Sequence, residues 1–140
     1  MATAKKKVLA TTSSADVDVR EHDIEIQILD WLNQQPQCMA VKYECMGVYD
    51  PTKKIFRKPG KFVIGVDIVF QWKRRSDAYA VPGWIEVKKP GARTAPERLR
   101  MQKAFIAKVR RYGAIGFFAN DLEEVQRQIN YFDKTGSTIV

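Results

Sequence analysis

The sequence predicts an α/β domain in which a mixed central β-sheet is flanked by helices, and three observations carry that reading. From about Asp18, the residues Ile24, Ile28, Leu29 and Leu32 recur at the spacing of one helix face, with Trp31 beside them. Two runs, 62–70 and 80–88, are rich in β-branched and aromatic residues and bounded by Gly, Pro and charge, as strands are. A helical segment then separates the second run from a further short apolar run at 114–119. A strand, a crossover helix and another strand imply a parallel pair beside an antiparallel meander.

Taken in order, residues 1–15 read as a disordered basic lead-in containing Lys5, Lys6 and Lys7, with no apolar stretch of a secretory signal. Residues 16–140 read as a single domain, long enough for one sizeable core. Pro36 ends the first helix. Residues 39–49 alternate enough for a strand, and Asp50 to Lys54 form a turn. The strands at 62–70 and 80–88 follow, joined by a hairpin loop or bulge at 71–77. Lys89, Pro90 and Gly91 break the second of these. Thr94 with Glu97 three positions later is a capping-box pattern, which opens a helix with Leu99, Phe105, Ile106 and Val109 on its apolar face. Gly113 ends that helix, and 114–119 is a short buried strand. Asn120 or Asp121 caps a last helix over 122–132. The predicted order is α-β-β-β-α-β-α, without repeat or linker.

Lys and Arg number 24 against 16 Asp and Glu, a net charge of +8. That balance favours an acidic partner, nucleic acid ahead of an anionic membrane surface. No window approaches the apolar length of a transmembrane helix. Cys38, Cys45 and the single histidine, His22, are too few for a disulfide framework or a structural zinc site; the cysteines read as small buried residues of a reducing compartment.

The chemistry concentrates on the two central strands. Asp67 lies in the first, and Glu86-Val87-Lys88 ends the second. In a strand, residues i and i+2 share a face, so Glu86 and Lys88 point together. A carboxylate and an ammonium among apolar residues are costly to bury unless paired or metal-bound. If the strands are neighbours, Asp67 adds a second acidic donor, and the set suits a hard divalent ion and a phosphate. On the first helix, Glu21 and Glu25 are one turn apart, and the register of Glu21 against Ile24 and Ile28 favours Glu21 for the site. A solvated strand edge is the competing use of Glu86 and Lys88, and a solvent-facing helix side that of Glu21 and Gln102.

A helix bearing Glu21-x-x-Ile24-x-x-x-Ile28-x-x-x-Leu32, then Gly65-Val66-Asp67-Ile68, then Ile85-Glu86-Val87-Lys88, then a helix bearing Gln102-Lys103-Ala104-Phe105, resembles the PD-(D/E)XK nuclease superfamily. Gly47 also fits. Within the superfamily the chain is most similar to the VRR-NUC type, small nucleases often encoded by phages. Val66 stands where the superfamily's proline would be. The resemblance, which spans about residues 21–125, implies a restriction-endonuclease-like α-β-β-β-α-β core and metal-dependent cleavage of DNA. It implies that Asp67 and Glu86 bind Mg²⁺ or Mn²⁺ with the Val87 carbonyl, and that Glu21 reaches the metal directly or through water. Lys88 would contact the scissile phosphate or the attacking water, and Gln102 would orient the site. It further implies action on branched DNA such as a four-way junction, a homodimer suited to that symmetry, and the cytoplasm of a bacterial or phage-infected cell.

Basic side chains beside the proposed site are the expected DNA contacts: Lys53, Lys54, Arg57, Lys58 and Lys61 before the Asp67 strand, and Lys73, Arg74 and Arg75 after it. Arg93 and Arg98 precede and open the following helix. Nothing encodes base-edge readout, so recognition of backbone and shape is expected. The rival from another class is a non-catalytic nucleic-acid-binding accessory protein, which would need no divalent metal.

Overall fold

The computed structural model describes residues 20–43, 48–57 and 66–139. The predicted lead-in, Cys45, Gly47, Lys58, Lys61 and the first residues of the 62–70 run lie outside the described residues.

Helix α1 (Glu21–Gln34) buries Ile24, Ile28 and Leu32, as its periodicity predicted, and also Glu25. Strand β1 (Cys38–Lys42) follows. The predicted strand at 39–49 does not continue through: β1 joins the main sheet, whereas β2 (Val48–Asp50) pairs antiparallel with β3 (Ile55–Arg57) in a separate hairpin. Alternation reports that a stretch is extended, not which partner it pairs with, so the division was invisible in sequence. The turn at 51–54 is where it was expected, with Asp50 Oδ1 accepting from the Thr52 and Lys53 amides. Strands β4 (Ile68–Trp72) and β5 (Val81–Val87) then form, with Gln71 and Trp72 in the strand and not in the loop.

The main sheet has the order β1-β4-β5-β6, where β6 is Ile115–Ala119. β1–β4 and β4–β5 are antiparallel and β5–β6 is parallel, joined by helix α2 (Pro96–Arg111). Helix α3 (Leu122–Thr135) closes the fold. Apart from the β2–β3 hairpin, the order is the predicted α-β-β-β-α-β-α. Pro82 is tolerated in β5 because pairing with β6 begins only at Gly83.

The two faces of the sheet are covered unequally. Ile68, Phe70 and Trp72, with Ile85, Val87, Ile115, Phe117 and Ala119, form one core with Ile24, Ile28 and Leu32 of α1 and Val125, Ile129 and Phe132 of α3. Each of the Val, Ile, Leu and Phe side chains among them contributes about 1.5–3 kcal/mol on burial. Trp72 Nε1 donates to Asp133 Oδ1 at 2.9 Å, tying β4 to α3. On the other face, α2 packs through Ile106 and Phe105, the latter edge-on to Trp84 at 5.4 Å between centroids. There the edge strand keeps Met39 64% and Val41 57% exposed. The Asn33 side chain accepts from the Ala40 amide at 2.9 Å and donates to its carbonyl at 3.0 Å, blunting this edge against strand addition.

The helix ends bring both confirmations and corrections. Asp121 caps α3, accepting from the Glu124 amide at 2.8 Å, and the helix runs three residues past Phe132 to Thr135. Gly113, at φ +88°, supplies the left-handed turn after α2. The capping box at Thr94 does not form: the N-cap is Ala95, with no side-chain hydrogen bond. No helix among the described residues is long and apolar enough to cross a membrane.

Candidate metal centre

The sheet topology brings the predicted acidic residues to one end of β4 and β5. Asp67 is the residue before β4, and its backbone is held from both sides: the Tyr43 amide donates to its carbonyl at 2.9 Å, and its own amide donates to the Ile85 carbonyl at 3.2 Å. Its side chain is fixed as well, with Oδ2 accepting from the Val87 amide at 2.6 Å. Val87 thus enters the site as a backbone donor to Asp67.

Above this point sits the start of α1. One carboxylate oxygen each from Glu21, Glu25 and Asp67 lies within 4.8 Å of the others. Sequence reasoning weighed Glu21 against Glu25; the helix presents both, with Glu25 only 5% exposed. The strip Ile24, Ile28, Leu32 packs on the sheet, so its flanking residue Glu25 is carried to the core's edge. Lys42, at the end of β1 and opposite Ile68, places its Nζ 3.2 Å from Glu25 Oε2. His22 Nδ1 lies 3.8 Å from the same oxygen. Neither contact is a hydrogen bond, so Glu25 Oε2 is a buried acceptor without one among the described residues.

Glu86 occupies the other side of Asp67, on the face covered by α2. It is 2% exposed. Its Oε1 accepts from Gln102 Nε2 at 2.7 Å and lies 3.3 Å from Lys88 Nζ, while Oε2 is buried without a hydrogen-bond partner among the described residues. Lys88 also donates to Thr94 Oγ1 at 3.1 Å. The predicted pairing of Glu86 with Lys88 on one face, and the approach of Gln102 from the following helix, are both present. Gln102 is itself 2% exposed, which removes the solvent-facing alternative for it.

Glu21, Glu25 and Asp67 therefore gather beside the Lys42 ammonium, and Glu86 lies beside that of Lys88. Burial, opposed by the Val87 hydrogen bond and reinforced by the Glu25 and Glu21 charges, pushes the Asp67 carboxyl up to about 6. Burial and the Asp67 charge, partly offset by Lys88, push Glu86 up to about 7. Clustered, desolvated carboxylates with unpartnered oxygens fit a hard divalent cation, which takes oxygen ligands and relieves their mutual repulsion.

Two further residues of this centre were not picked out from the sequence. Lys42 carries no local signal, because only the β1–β4 register brings it to Glu25. Thr94 carried a misleading one, the capping box.

The expected DNA-contacting residues divide. Lys53 and Lys54 are exposed in the β2–β3 turn, Lys73 and Arg75 are exposed after β4, and Arg93 and Arg98 are exposed before and in α2. Arg57 lies in β3. Arg74 is already engaged: its guanidinium donates to both Asp77 oxygens, at 2.8 and 2.9 Å, and stacks 5.6 Å from the Phe132 ring centroid.

Comparison with family models, curated proteins and solved structures yields no match to this chain.

Proposed function

We propose that this protein is a metal-dependent deoxyribonuclease of PD-(D/E)XK type that hydrolyses phosphodiester bonds at the Asp67–Glu86 centre. The observation that carries the reading is the convergence of the Glu21, Glu25 and Asp67 oxygens within 4.8 Å, near a buried Glu86 whose Oε2 has no hydrogen bond among the described residues and whose neighbour is Lys88. The main-sheet element order, α-β-β-β-α-β once the side hairpin is set apart, supports it as well.

In this reading Asp67, Glu21, Glu25 and Glu86 hold Mg²⁺ or Mn²⁺, the Val87 carbonyl being a further ligand. When bound, such an ion lowers the pKa of a coordinated water and offsets charge building on the phosphate. The remaining steps belong to the chain. Val87, through its amide, fixes the Asp67 carboxylate. Gln102 holds one Glu86 oxygen and leaves the other toward the site. Lys88 supplies a compact positive charge for the non-bridging phosphate oxygens or the attacking water. Exposed Lys53, Lys54, Lys73, Arg75, Arg93 and Arg98 contact the DNA backbone without reading sequence.

The test is incubation with linear, nicked, flapped and four-way DNA in Mg²⁺, in Mn²⁺ and in chelator. Metal-dependent cleavage is expected, and Asp67→Asn and Glu86→Gln are each expected to abolish it with circular dichroism and DNA affinity unchanged. Wild-type turnover by either variant removes the site assignment. Metal-independent binding with no cleavage of any of the four substrates identifies the accessory-binder alternative.

A further inference from the structure

Thr94 stands where a capping residue should be, yet α2 starts one position later with no side-chain cap, and the Thr94 hydroxyl accepts from Lys88 Nζ instead. The connection from β5 makes this possible. After Lys88 the chain turns back on itself, with the Ala92 amide donating to the Lys89 carbonyl at 3.0 Å and Gly91 at φ +76°. That turn returns the sixth residue after Lys88 to its side.

A lysine ammonium has three N–H donors and a flexible four-carbon stem. Beside a lone buried carboxylate it would settle wherever that single attraction leads. Here two acceptors hold it: Thr94 Oγ1 at 3.1 Å and Glu86 Oε1 at 3.3 Å. Glu86 is in turn held by Gln102 at 2.7 Å, so the carboxylate side of this clamp is rigid. Two fixed directions at a tetrahedral nitrogen determine the third. The Lys88 side chain keeps 18% of its surface exposed, so these two partners do not seal it from a ligand.

We propose that Thr94 is a positioning residue for Lys88: its hydroxyl, given up by α2 as a cap, holds the ammonium so that the remaining N–H faces the substrate phosphate or the attacking water. The identity of that ligand rests on the nuclease reading; the Thr94–Lys88 contact does not. Thr94→Val keeps the shape and removes the acceptor, and Thr94→Ser restores it.

The experiment has two arms, single-turnover cleavage of DNA in saturating Mn²⁺ and NMR of the Lys88 ammonium in ¹⁵N-lysine protein. Thr94→Val is expected to slow cleavage about tenfold, with Thr94→Ser within about twofold of wild type, the scale of a lost orienting contact. DNA affinity and the unfolding midpoint should not move. In a Lys88→Ala background Thr94→Val should have no further effect, which a merely structural role for Thr94 would not produce. In the second arm, Thr94→Val is expected to speed proton exchange at the Lys88 ammonium and Thr94→Ser to leave it protected. Unchanged exchange and cleavage in Thr94→Val, or an equal loss in the Lys88→Ala background, overturns the proposal. If the wild type cuts no DNA with either metal, the nuclease reading fails, and the exchange arm alone decides the role of Thr94.

Discussion

Asp67 and Glu86 show how buried carboxylates cost a fold stability. In an unfolded chain they titrate near 3.8 and 4.5; in the folded, metal-free protein they are raised to about 6 and about 7. Between those limits the folded state binds more protons than the unfolded one, so protonation favours folding. Their contribution is fully present below about pH 4 and is lost as pH rises through 6 to 7. We expect chelated protein to be less stable at pH 8 than at pH 5, by on the order of a few kcal/mol from these two groups. Denaturant unfolding at the two pH values measures it. Glu86→Gln should flatten the dependence, and Mg²⁺ should raise stability chiefly at the higher pH, where the carboxylates are ionised. An identical pH dependence in wild type and Glu86→Gln would contradict the assignment of Glu86 as a buried, strained acid.

Among the elements, the β4–β5 pair decides whether the site exists at all. The register that sets Ile68 opposite Ile85 also sets Phe70 opposite Gly83, and the Phe70 ring lies across the position a β-carbon at residue 83 would take. Gly83→Ala must therefore push the ring or the strand aside. We expect it to destabilise the protein by about 1–3 kcal/mol, the usual cost of overpacking a filled core. Val41→Thr, on the exposed face of β1, should stay within about 0.5 kcal/mol. Thermal unfolding of both variants separates the outcomes, and a neutral Gly83→Ala would mean that β4 and β5 are not packed in this register. Because Asp67 and Val87 are linked across the same pair, Gly83→Ala should also weaken Mn²⁺ binding by more than Val41→Thr does.

At the scale of the whole molecule, the net charge of +8 coexists with the acidic cluster of Glu21, Glu25 and Asp67 and the buried Glu86. In the proposed function, attraction to a polyanion and the binding of a cation would thus be carried by separate residues. Binding to duplex DNA should weaken steeply with salt and little with sequence. If ~6–10 phosphates are neutralised, affinity falls about 10³–10⁵-fold between about 50 and 200 mM salt. Fluorescence anisotropy on two unrelated duplexes across that range tests it; a flat response, or strong preference for one duplex, would count against backbone recognition. Asp67→Asn should leave the salt slope unchanged while abolishing metal binding.

What the sequence determined by itself were the features written in local periodicity and chemistry. The stripe Ile24, Ile28, Leu32 announced α1 and its buried face, the apolar runs announced β4, β5 and β6, and the strand alternation at Glu86 and Lys88 put both groups on one face. Asp67, Glu86 and Lys88 stood out as charges within such apolar runs, whereas Gln102 was picked out only by the family resemblance. The tertiary structure alone decided the rest. Whether Glu21 or Glu25 belongs to the site depends on how α1 lies on the sheet, and it brings both. Lys42 joins only through the β1–β4 register, and residues 48–50 leave the sheet for a hairpin because strand pairing is a long-range choice that alternation does not encode. Thr94 was misread for the same reason: a capping motif describes four residues in isolation, and here the hydroxyl found a charged donor six residues back across a turn, a stronger partner than a backbone amide.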